Sequence, residues 1–239
     1  ATPDQDASGI YTGSAELGTT PTQMPTDLKG MVYSNRFNIF SVSEHVLYSG
    51  TITSTSGNDV SGTVDVYVDG DFHETVSMSG FVTERSQMSI TINGTDKGSA
   101  SLTLTYNKIY ETPATLPRIE ADYNSRWSGT VKAAVGSNLY FRFEEATETI
   151  GGWIDEPTSI CAFASNVSYS DSLTIPLPSA NIYELIDIEP TDSDLDVTCT
   201  IKSANYNGYA TVIDNGSPGE MWIVLINGNN SIFGVLQHM

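Results

Sequence analysis

Short segments in which apolar and polar residues alternate run along most of the chain. The clearest is residues 60–69, in which every second residue from Val60 to Val68 is Val or Gly and the residues between are polar or Tyr. A period of two with β-branched residues is typical of a strand with one buried face. No segment shows the period of an amphipathic helix. The pattern therefore predicts an all-β protein.

Eight such segments precede residue 107, separated by turn sequences such as Ser34-Asn35 and Asn93-Gly94. The predicted strands are residues 8–16, 28–33, 36–42, 46–54, 60–69, 75–83, 88–92 and 99–106. Eight short strands at this spacing favour a small antiparallel barrel or a barrel-like sandwich, because closure leaves no edge strand exposed.

The same pattern resumes at Trp127. The predicted strands of this second half are residues 127–131, 138–145, 148–155, 158–168, 173–177, 181–188, 195–203, 208–213, 221–226 and 231–237. Ser-Gly-Thr followed by Ile or Val recurs at 49–52, 61–64 and 128–131. Gly inside a strand permits the coiling that a small barrel needs. We therefore expect two Gly-rich β-lobes, each an antiparallel barrel or barrel-like sandwich of about eight strands.

A different kind of sequence separates the two lobes. Pro113 and Pro117 disfavour a strand there, because proline lacks the N–H that a ladder needs. The stretch is nevertheless rich in Tyr, Ile and Leu, so we expect a packed connection instead of a loose tether. The predicted organisation is a disordered N terminus at 1–7, an N-terminal lobe at 8–106, the connection at 107–126 and a C-terminal lobe at 127–239.

The net negative charge of the chain argues against anionic partners. Among 239 residues, 29 acidic residues outnumber 10 basic ones, which gives a formal net charge of −19. A field of that sign repels phosphate backbones and anionic membrane surfaces, so we expect no nucleic-acid partner. Hydrophobic residues make up 39% and charged residues 16%, which indicates a folded chain. No apolar run is long enough for a transmembrane helix.

The two cysteines, Cys161 and Cys199, both lie in the C-terminal lobe. An even pair in a β-rich chain with many Thr, Ser and Asn favours an oxidising compartment, and we predict the disulfide Cys161–Cys199. Two buried free thiols are the alternative. The chain opens with Ala-Thr-Pro-Asp, without a starting Met or an apolar signal region, which indicates an exported chain whose signal has been removed.

Motifs for catalysis and for cofactors are scarce. The spacings of zinc sites, the nucleophile elbow and the phosphate-binding loop do not occur, so we expect a non-enzymatic protein without a cofactor. A weak calcium candidate is formed by Asp192, Asp194 and Asp196, which share the spacing of the first three EF-hand ligands. The Gly and Glu that complete an EF-hand loop are replaced by Val197 and Ser203. A solvated acidic turn is the competing interpretation.

Aromatic residues make up 10% of the chain and are the strongest indication of a ligand site. Aromatic faces that are exposed to solvent can stack against sugar rings, whereas buried ones fill a core. The candidates in or near predicted strands are Tyr67, Tyr140, Trp153, Tyr206, Tyr209 and Trp222.

Several spaced residues resemble a group of uncharacterised exported bacterial proteins, many of them predicted lipoproteins. The matching positions are Tyr106, Tyr110, Pro113, Leu116, the segment Arg126-Trp127-Ser-Gly-Thr130, Cys161, Phe163, Ile182, Tyr183, Cys199, Gly208 and Ala210. The chain departs from the group at Ile160 and Ala164, where the group has Gly. The resemblance implies a cell-envelope location and, where a lipid anchor exists, a lipidated cysteine upstream of residue 1. More distantly, the lobes resemble the barrel domains of transferrin-binding-protein-B-like surface lipoproteins.

These observations lead to one expected function and two alternatives. We expect an exported binding or adhesion protein of the bacterial periplasm, outer membrane or cell surface, with a protein, another macromolecule or a glycan as partner. The first alternative is a lipocalin-like carrier that encloses a small apolar ligand in a barrel cavity. The second is an enzyme of unrecognised type, which would need a cleft with converging carboxylates or a His–Asp pair.

Overall fold

The computed structural model describes residues 4–18, 24–112, 127–133, 138–144, 149–155, 160–169, 180–192, 205–213 and 219–238. The chain divides into two compact units, Ala1–Lys108 and Ile109–Met239. Each unit contains a closed antiparallel barrel of eight strands in sequence order, so the predicted all-β class with two barrel lobes is confirmed. None of the helical segments in the described ranges is both long and apolar enough to cross a membrane.

The N-terminal barrel is a meander that closes on itself. Each strand pairs with the next along the chain, and the last strand returns to pair with the first. Its strands are β1 (Gly9–Leu17), β2 (Leu28–Tyr33), β3 (Arg36–Ser41), β4 (Val46–Ser56), β5 (Asp59–Val68), β6 (Asp71–Thr83), β7 (Gln87–Asn93) and β8 (Ala100–Asn107). Because the ring is complete, the barrel has no edge strand on which another chain could add.

The alternation in the sequence fills the inside of this barrel. On β7 the buried residues Met88, Ile90 and Ile92 alternate with four exposed polar ones. The same period on the other strands builds one continuous apolar cluster. Fully buried members of the cluster are Tyr11, Phe37, Ile39, Tyr48, Val64 and Leu104.

Two tyrosines of this interior direct their hydroxyls to opposite ends of the barrel. The Tyr11 hydroxyl donates to the Ala7 carbonyl at 2.8 Å, and the Tyr48 hydroxyl donates to the Lys97 carbonyl at 2.6 Å. Ala7 belongs to the segment that precedes β1, and Lys97 to the 3-10 turn between β7 and β8. Both buried hydroxyls therefore form hydrogen bonds. Each bond connects the barrel interior to the backbone of a segment at one end of the barrel.

The segment Asp4–Ala7 is ordered by these contacts and by two turns. The Gln5 N–H donates to the Gly57 carbonyl at 2.9 Å, the Asp4 carboxylate accepts from the Gly57 N–H, and the Gln5 side chain accepts from the Glu84 N–H. These hydrogen bonds join residues 4–7 to the barrel, and the predicted disorder of residues 1–7 stays a prediction. Residues 1–3 lie outside the described part.

The second unit repeats the meander. Its strands are β9 (Trp127–Ala133), β10 (Asn138–Glu144), β11 (Thr149–Asp155), β12 (Ile160–Tyr169), β13 (Tyr183–Asp192), β14 (Tyr206–Ile213), β15 (Glu220–Ile226) and β16 (Ser231–His238). The ring closes because β9 pairs with both β10 and β16. At this closure the rings of Trp127 and His238 meet edge to face with centroids 5.3 Å apart.

Strand β13 extends further than the sequence indicates. Residues 189–192, interpreted as part of an acidic turn, continue the strand and pair with β12. Within the described residues, β14 pairs with β13 only as far as Ile188. Pro190 lies in this extension and stands opposite Phe163 of β12. The predicted strands 173–177 and 195–203 lie outside the described residues.

A buried asparagine anchors the segment that leads into the C-terminal barrel. Asn181 is fully buried, and its N–H donates to the Tyr110 carbonyl at 2.9 Å. Its side-chain amide donates to the Val212 carbonyl at 2.7 Å, and its own carbonyl accepts from the Thr211 hydroxyl at 2.7 Å. Residues 109–112 are thus tied to this barrel. Most of the predicted packed connection, residues 113–126, lies outside the described part, so its packing stays a prediction.

An acidic residue holds the turn between β3 and β4. The Asp27 carboxylate accepts from the Ser41 hydroxyl at 2.6 Å, the Ser43 hydroxyl at 2.9 Å and the Ser43 N–H at 3.0 Å. Burial raises the pKa of the Asp27 carboxyl, but the hydrogen bonds from Ser41 and Ser43 and the charge of Lys29 lower it by more. The net pKa therefore lies below its usual range.

Replacing Asp27 by Asn should lower the free energy of unfolding by about 1 kcal/mol at neutral pH, because a charged hydrogen-bond acceptor is lost at a partly exposed site. A carboxylate with a lowered folded-state pKa stabilises above its unfolded pKa, and that contribution disappears as the pH falls through the folded pKa. The difference from the unmodified protein should therefore shrink in acid, as measured by thermal unfolding across pH. An equal difference at all pH values would contradict the assignment, and Asp59→Asn is the control for an exposed carboxylate.

Glycine at position 62 permits close approach between β4 and β5. A Cβ built there would overlap the Thr51 carbonyl oxygen, which belongs to the backbone and has little freedom to move. Alanine at this position should destabilise the N-terminal barrel by about 1–3 kcal/mol, the usual cost of overpacking. The control Thr63→Ala changes an exposed residue on the same strand and should stay within about 0.5 kcal/mol. Chemical denaturation followed by circular dichroism measures both, and equal effects would contradict the packing argument.

Candidate functional site

An open groove lies on the outer wall of the N-terminal barrel, where β4, β5, β6 and β7 run side by side. Its volume is about 600 Å³. Most of the lining consists of short hydroxyl side chains. The other lining residues are one carboxylate, Asp59, one aromatic residue, Phe81, and Gly80 and the buried Val60. The hydroxyl residues are Ser54, Ser56, Ser61, Ser79, Ser89 and Thr91.

The pairing of the strands sets these residues in rows across the wall. In the first row Ser54, Ser61, Ser79 and Thr91 stand opposite one another on successive strands. Neighbouring strands in a sheet are about 4.8 Å apart, so hydroxyl groups recur at about that interval along the row. The second row lies next to the first on the same face, two residues away on each strand. In it Ser56, Asp59, Phe81 and Ser89 stand opposite one another.

A β-bulge puts two of the serines on the outer wall. Before the bulge, the even-numbered residues of β4 point inward, as buried Tyr48 and Ile52 show. The register then shifts between Ile52 and Ser54, so that the extra residue Thr53 reverses the alternation. Ser54 consequently pairs with the outward Ser61 and is exposed. The groove lies where this reversal brings Ser54 and Ser56 to the outer face of the barrel.

The groove offers hydrogen bonds and one apolar surface. Each hydroxyl can donate one hydrogen bond and accept others, so the rows match a ligand that itself carries both donors and acceptors. Phe81 is half-buried and lines the groove between Asp59 and Ser89 of the second row. The lining contains no Lys, Arg or His, and Asp59 is its sole charged member.

The aromatic residues singled out from the sequence do not form the site. Tyr67, Tyr206, Tyr209 and Trp222 are buried, Tyr140 is half-buried, and the side chain of Trp153 lies outside the described part. The ring at the groove is Phe81, which sequence reasoning missed. The alternation along β6 predicts its orientation: Met78 and Val82 point inward, so residue 81 points outward.

A histidine–aspartate pair is present, but it does not lie in the groove. His45 Nδ1 and Asp69 Oδ1 are 2.5 Å apart, and both side chains are largely exposed. The Asp69 N–H also donates to the His45 carbonyl at 2.8 Å. Both residues have positive φ in tight turns at the same end of the barrel. The pair therefore joins two turns.

The predicted calcium residues are only partly described. Asp192 is the last residue of β13 and stands opposite Cys161 on β12, whereas Asp194 and Asp196 lie outside the described residues. Within the ranges that the structure describes, no group of three or more His, Cys, Asp or Glu residues could hold a metal ion. The three-aspartate site stays a prediction.

The predicted disulfide is likewise half described. Cys161 is fully buried on β12 and belongs to the apolar cluster inside the C-terminal barrel. None of the described residues is a free cysteine. Cys199 lies outside the described part, so the pairing of Cys161 with Cys199 stays a prediction.

We expect the unreduced protein to lack the mass of two hydrogens relative to the reduced protein. Denaturation without reductant should then leave both cysteines unalkylated. In the chain-entropy model a bridge between residues 161 and 199 stabilises by roughly 4 kcal/mol, so reduction should lower the unfolding midpoint. Cys161→Ala/Cys199→Ala is the control that reductant should leave unaffected. Alkylation of both thiols under non-reducing denaturation would contradict the bridge.

Comparison with known proteins gives little further information. No protein-family model matches the chain, and no curated protein matches it. A crystal structure of a protein of unknown function from the DUF3598 family of Nostoc punctiforme aligns with 97% of this chain and 95% of that chain. The two sequences are 9% identical and the TM-score is 0.27, so this likeness carries no argument about the fold or the function of this chain.

Proposed function

We propose that this chain is a non-enzymatic binding or adhesion protein of the bacterial cell envelope, and that the groove on its N-terminal barrel holds the partner. The observation that carries the proposal is the groove itself. It is an open groove lined by hydroxyl groups in register and by the half-buried Phe81. Such a surface binds through many weak contacts and does not need a reacting group.

The packed interior favours the outer wall over a barrel cavity. A carrier of lipocalin type needs room inside the barrel for its ligand. In the N-terminal barrel the described interior residues form one continuous apolar cluster that includes large side chains such as Phe37, Tyr48 and Met78. No described feature favours the carrier.

The envelope location rests on composition and resemblance. The acidic balance, the cysteine pair and the likeness to exported bacterial proteins all favour an oxidising extracytoplasmic compartment. The periplasm, the outer membrane and the cell surface are all consistent with these features. A lipid anchor upstream of residue 1, and the more distant likeness to surface-lipoprotein barrels, belong to the same proposal.

The test is co-sedimentation of the purified protein with a bacterial envelope preparation of cell wall and outer membrane. The variant Ser61→Gln/Ser79→Gln fills the groove with longer neutral side chains at two positions that stand opposite each other. We expect it to reduce the sedimented fraction at least several-fold, because the hydroxyl rows are covered. The control Thr12→Gln/Thr105→Gln also puts two Gln side chains in place of hydroxyl residues, at an exposed pair outside the groove, and should sediment like the unmodified protein.

Two results would contradict the proposal. If the unmodified protein does not sediment, the protein does not bind envelope material. If the groove variant sediments as well as the control, binding occurs elsewhere. Circular dichroism should show the same folded spectrum for all three proteins, because the substituted side chains point outward on exposed or half-exposed positions.

A further inference from the structure

We infer that the occupant of the groove is an uncharged glycan chain, lying across the strands with a sugar ring against Phe81. This inference rests on the proposed function, since it names the chemical class of the partner for the same site. Four features of the wall support it: the hydroxyl rows, the position of the ring, the charge of the lining and the scarcity of exposed apolar residues.

The hydroxyl rows extend beyond the groove as a continuous polar surface. The first row continues from Thr91 to Ser101 on β8, and the second continues from Ser89 to Thr103. Ser101 and Thr103 are both exposed. A ligand that follows a row therefore meets a new hydroxyl at each strand, about 4.8 Å further on. A chain of sugar units repeats its own hydroxyls along its length and can use such a row over several units.

Phe81 supplies the contact that hydroxyls alone lack. Its neighbours in the second row are Asp59 on one side and Ser89 on the other, and Phe81 itself is half-buried and lines the groove. Sugar rings present C–H groups on one face, and aromatic faces bind such surfaces while hydroxyls at the rim bond the polar edge. The combination of one ring with surrounding hydroxyls is what a pyranose requires.

The charge of the groove argues against an anionic ligand and offers a basic ligand only one local carboxylate. Its lining contains no basic side chain, and the chain as a whole carries −19, so a phosphorylated, sulfated or uronic-acid ligand would be repelled. Asp59 is a single exposed carboxylate at the end of the hairpin, which is weak attraction for a basic ligand. An uncharged ligand can form hydrogen bonds with the Ser and Thr hydroxyls without moving a charge of its own out of water.

A protein partner fits the wall less well. Protein interfaces depend on a few apolar or aromatic anchors that become fully buried. Among the described residues the exposed large hydrophobic side chains are Met24, Phe72 and Ile186, and none of them lines the groove. The half-buried ring of Phe81 stands alone among hydroxyls, which gives a protein partner no apolar cluster to cover.

Affinity electrophoresis of the full chain tests the inference. The gels contain dextran, a mannan, a mixed-linkage β-glucan or a galactomannan as uncharged probes, and polygalacturonate as the anionic probe. We expect retardation by at least one uncharged polymer and none by polygalacturonate. Ser61→Gln/Ser79→Gln should abolish the retardation. Phe81→Leu should weaken it about five- to tenfold, the range expected for one aromatic contact.

Phe72→Leu is the matched control for the ring. Phe72 lies on the same strand and is 41% exposed, but its ring contacts Tyr67 and not the groove. We expect its retardation to equal that of the unmodified protein. Equal loss in Phe72→Leu and Phe81→Leu would show that the ring of Phe81 has no specific role.

The outcomes separate this inference from the proposed function. Retardation by polygalacturonate alone, by none of the four uncharged polymers, or by an uncharged polymer regardless of the groove variant would overturn the glycan assignment. If sedimentation with envelope material still depends on the groove in those cases, the binding function stands and the class of partner is wrong. If sedimentation is also independent of the groove, both fail.

Discussion

Closure of eight short strands into a narrow barrel is the constraint on which the N-terminal unit depends. A closed ring removes exposed edges, but it forces neighbouring strands to coil tightly around a small interior. That interior is filled by alternating apolar side chains, and at Gly62 even a methyl group would collide with the backbone of the next strand. Because apolar side chains fill the inside, the barrel presents its outer wall and its turns to solvent.

The groove follows from a local exception to this regular packing. One extra residue, Thr53, reverses the phase of β4 and directs Ser54 and Ser56 outward beside Ser61. The short side chains of that patch produce a depression, where larger residues would have produced a flat wall. The site is therefore part of the strands themselves, and the hydrogen-bonded ladder on both sides holds its hydroxyl rows in place. Such a surface is organised before a ligand arrives, which lowers the entropic cost of binding.

The sequence predicts the strands better than it predicts the site. A period of two identifies β5 and β7 because Val and Ile mark the inner face at every second residue. The same rule fails on β4 after Ile52, where residues 53–56 are all Ser or Thr and no apolar residue marks the inner face. The bulge, and with it the groove, is invisible in such a stretch. Exposed aromatic residues are hard to identify for a related reason, because Tyr and Trp occur in both cores and surfaces. Tyr67, Tyr206, Tyr209 and Trp222 are buried, and only the register shows which face a ring occupies.

If the proposed function holds, the lining of the groove limits how strongly each part of a ligand can be bound. Each hydroxyl of the wall exchanges a bond to water for a bond to the ligand, so a single contact contributes little net free energy. One half-buried ring adds a modest apolar term. A short ligand would therefore be held weakly, whereas a long repeating chain can rebind along the rows before it diffuses away, which raises the apparent affinity without any new contact. The proposed adhesion would therefore depend on a polymer held at many points along the rows, because the few contacts of a small molecule would contribute too little net free energy.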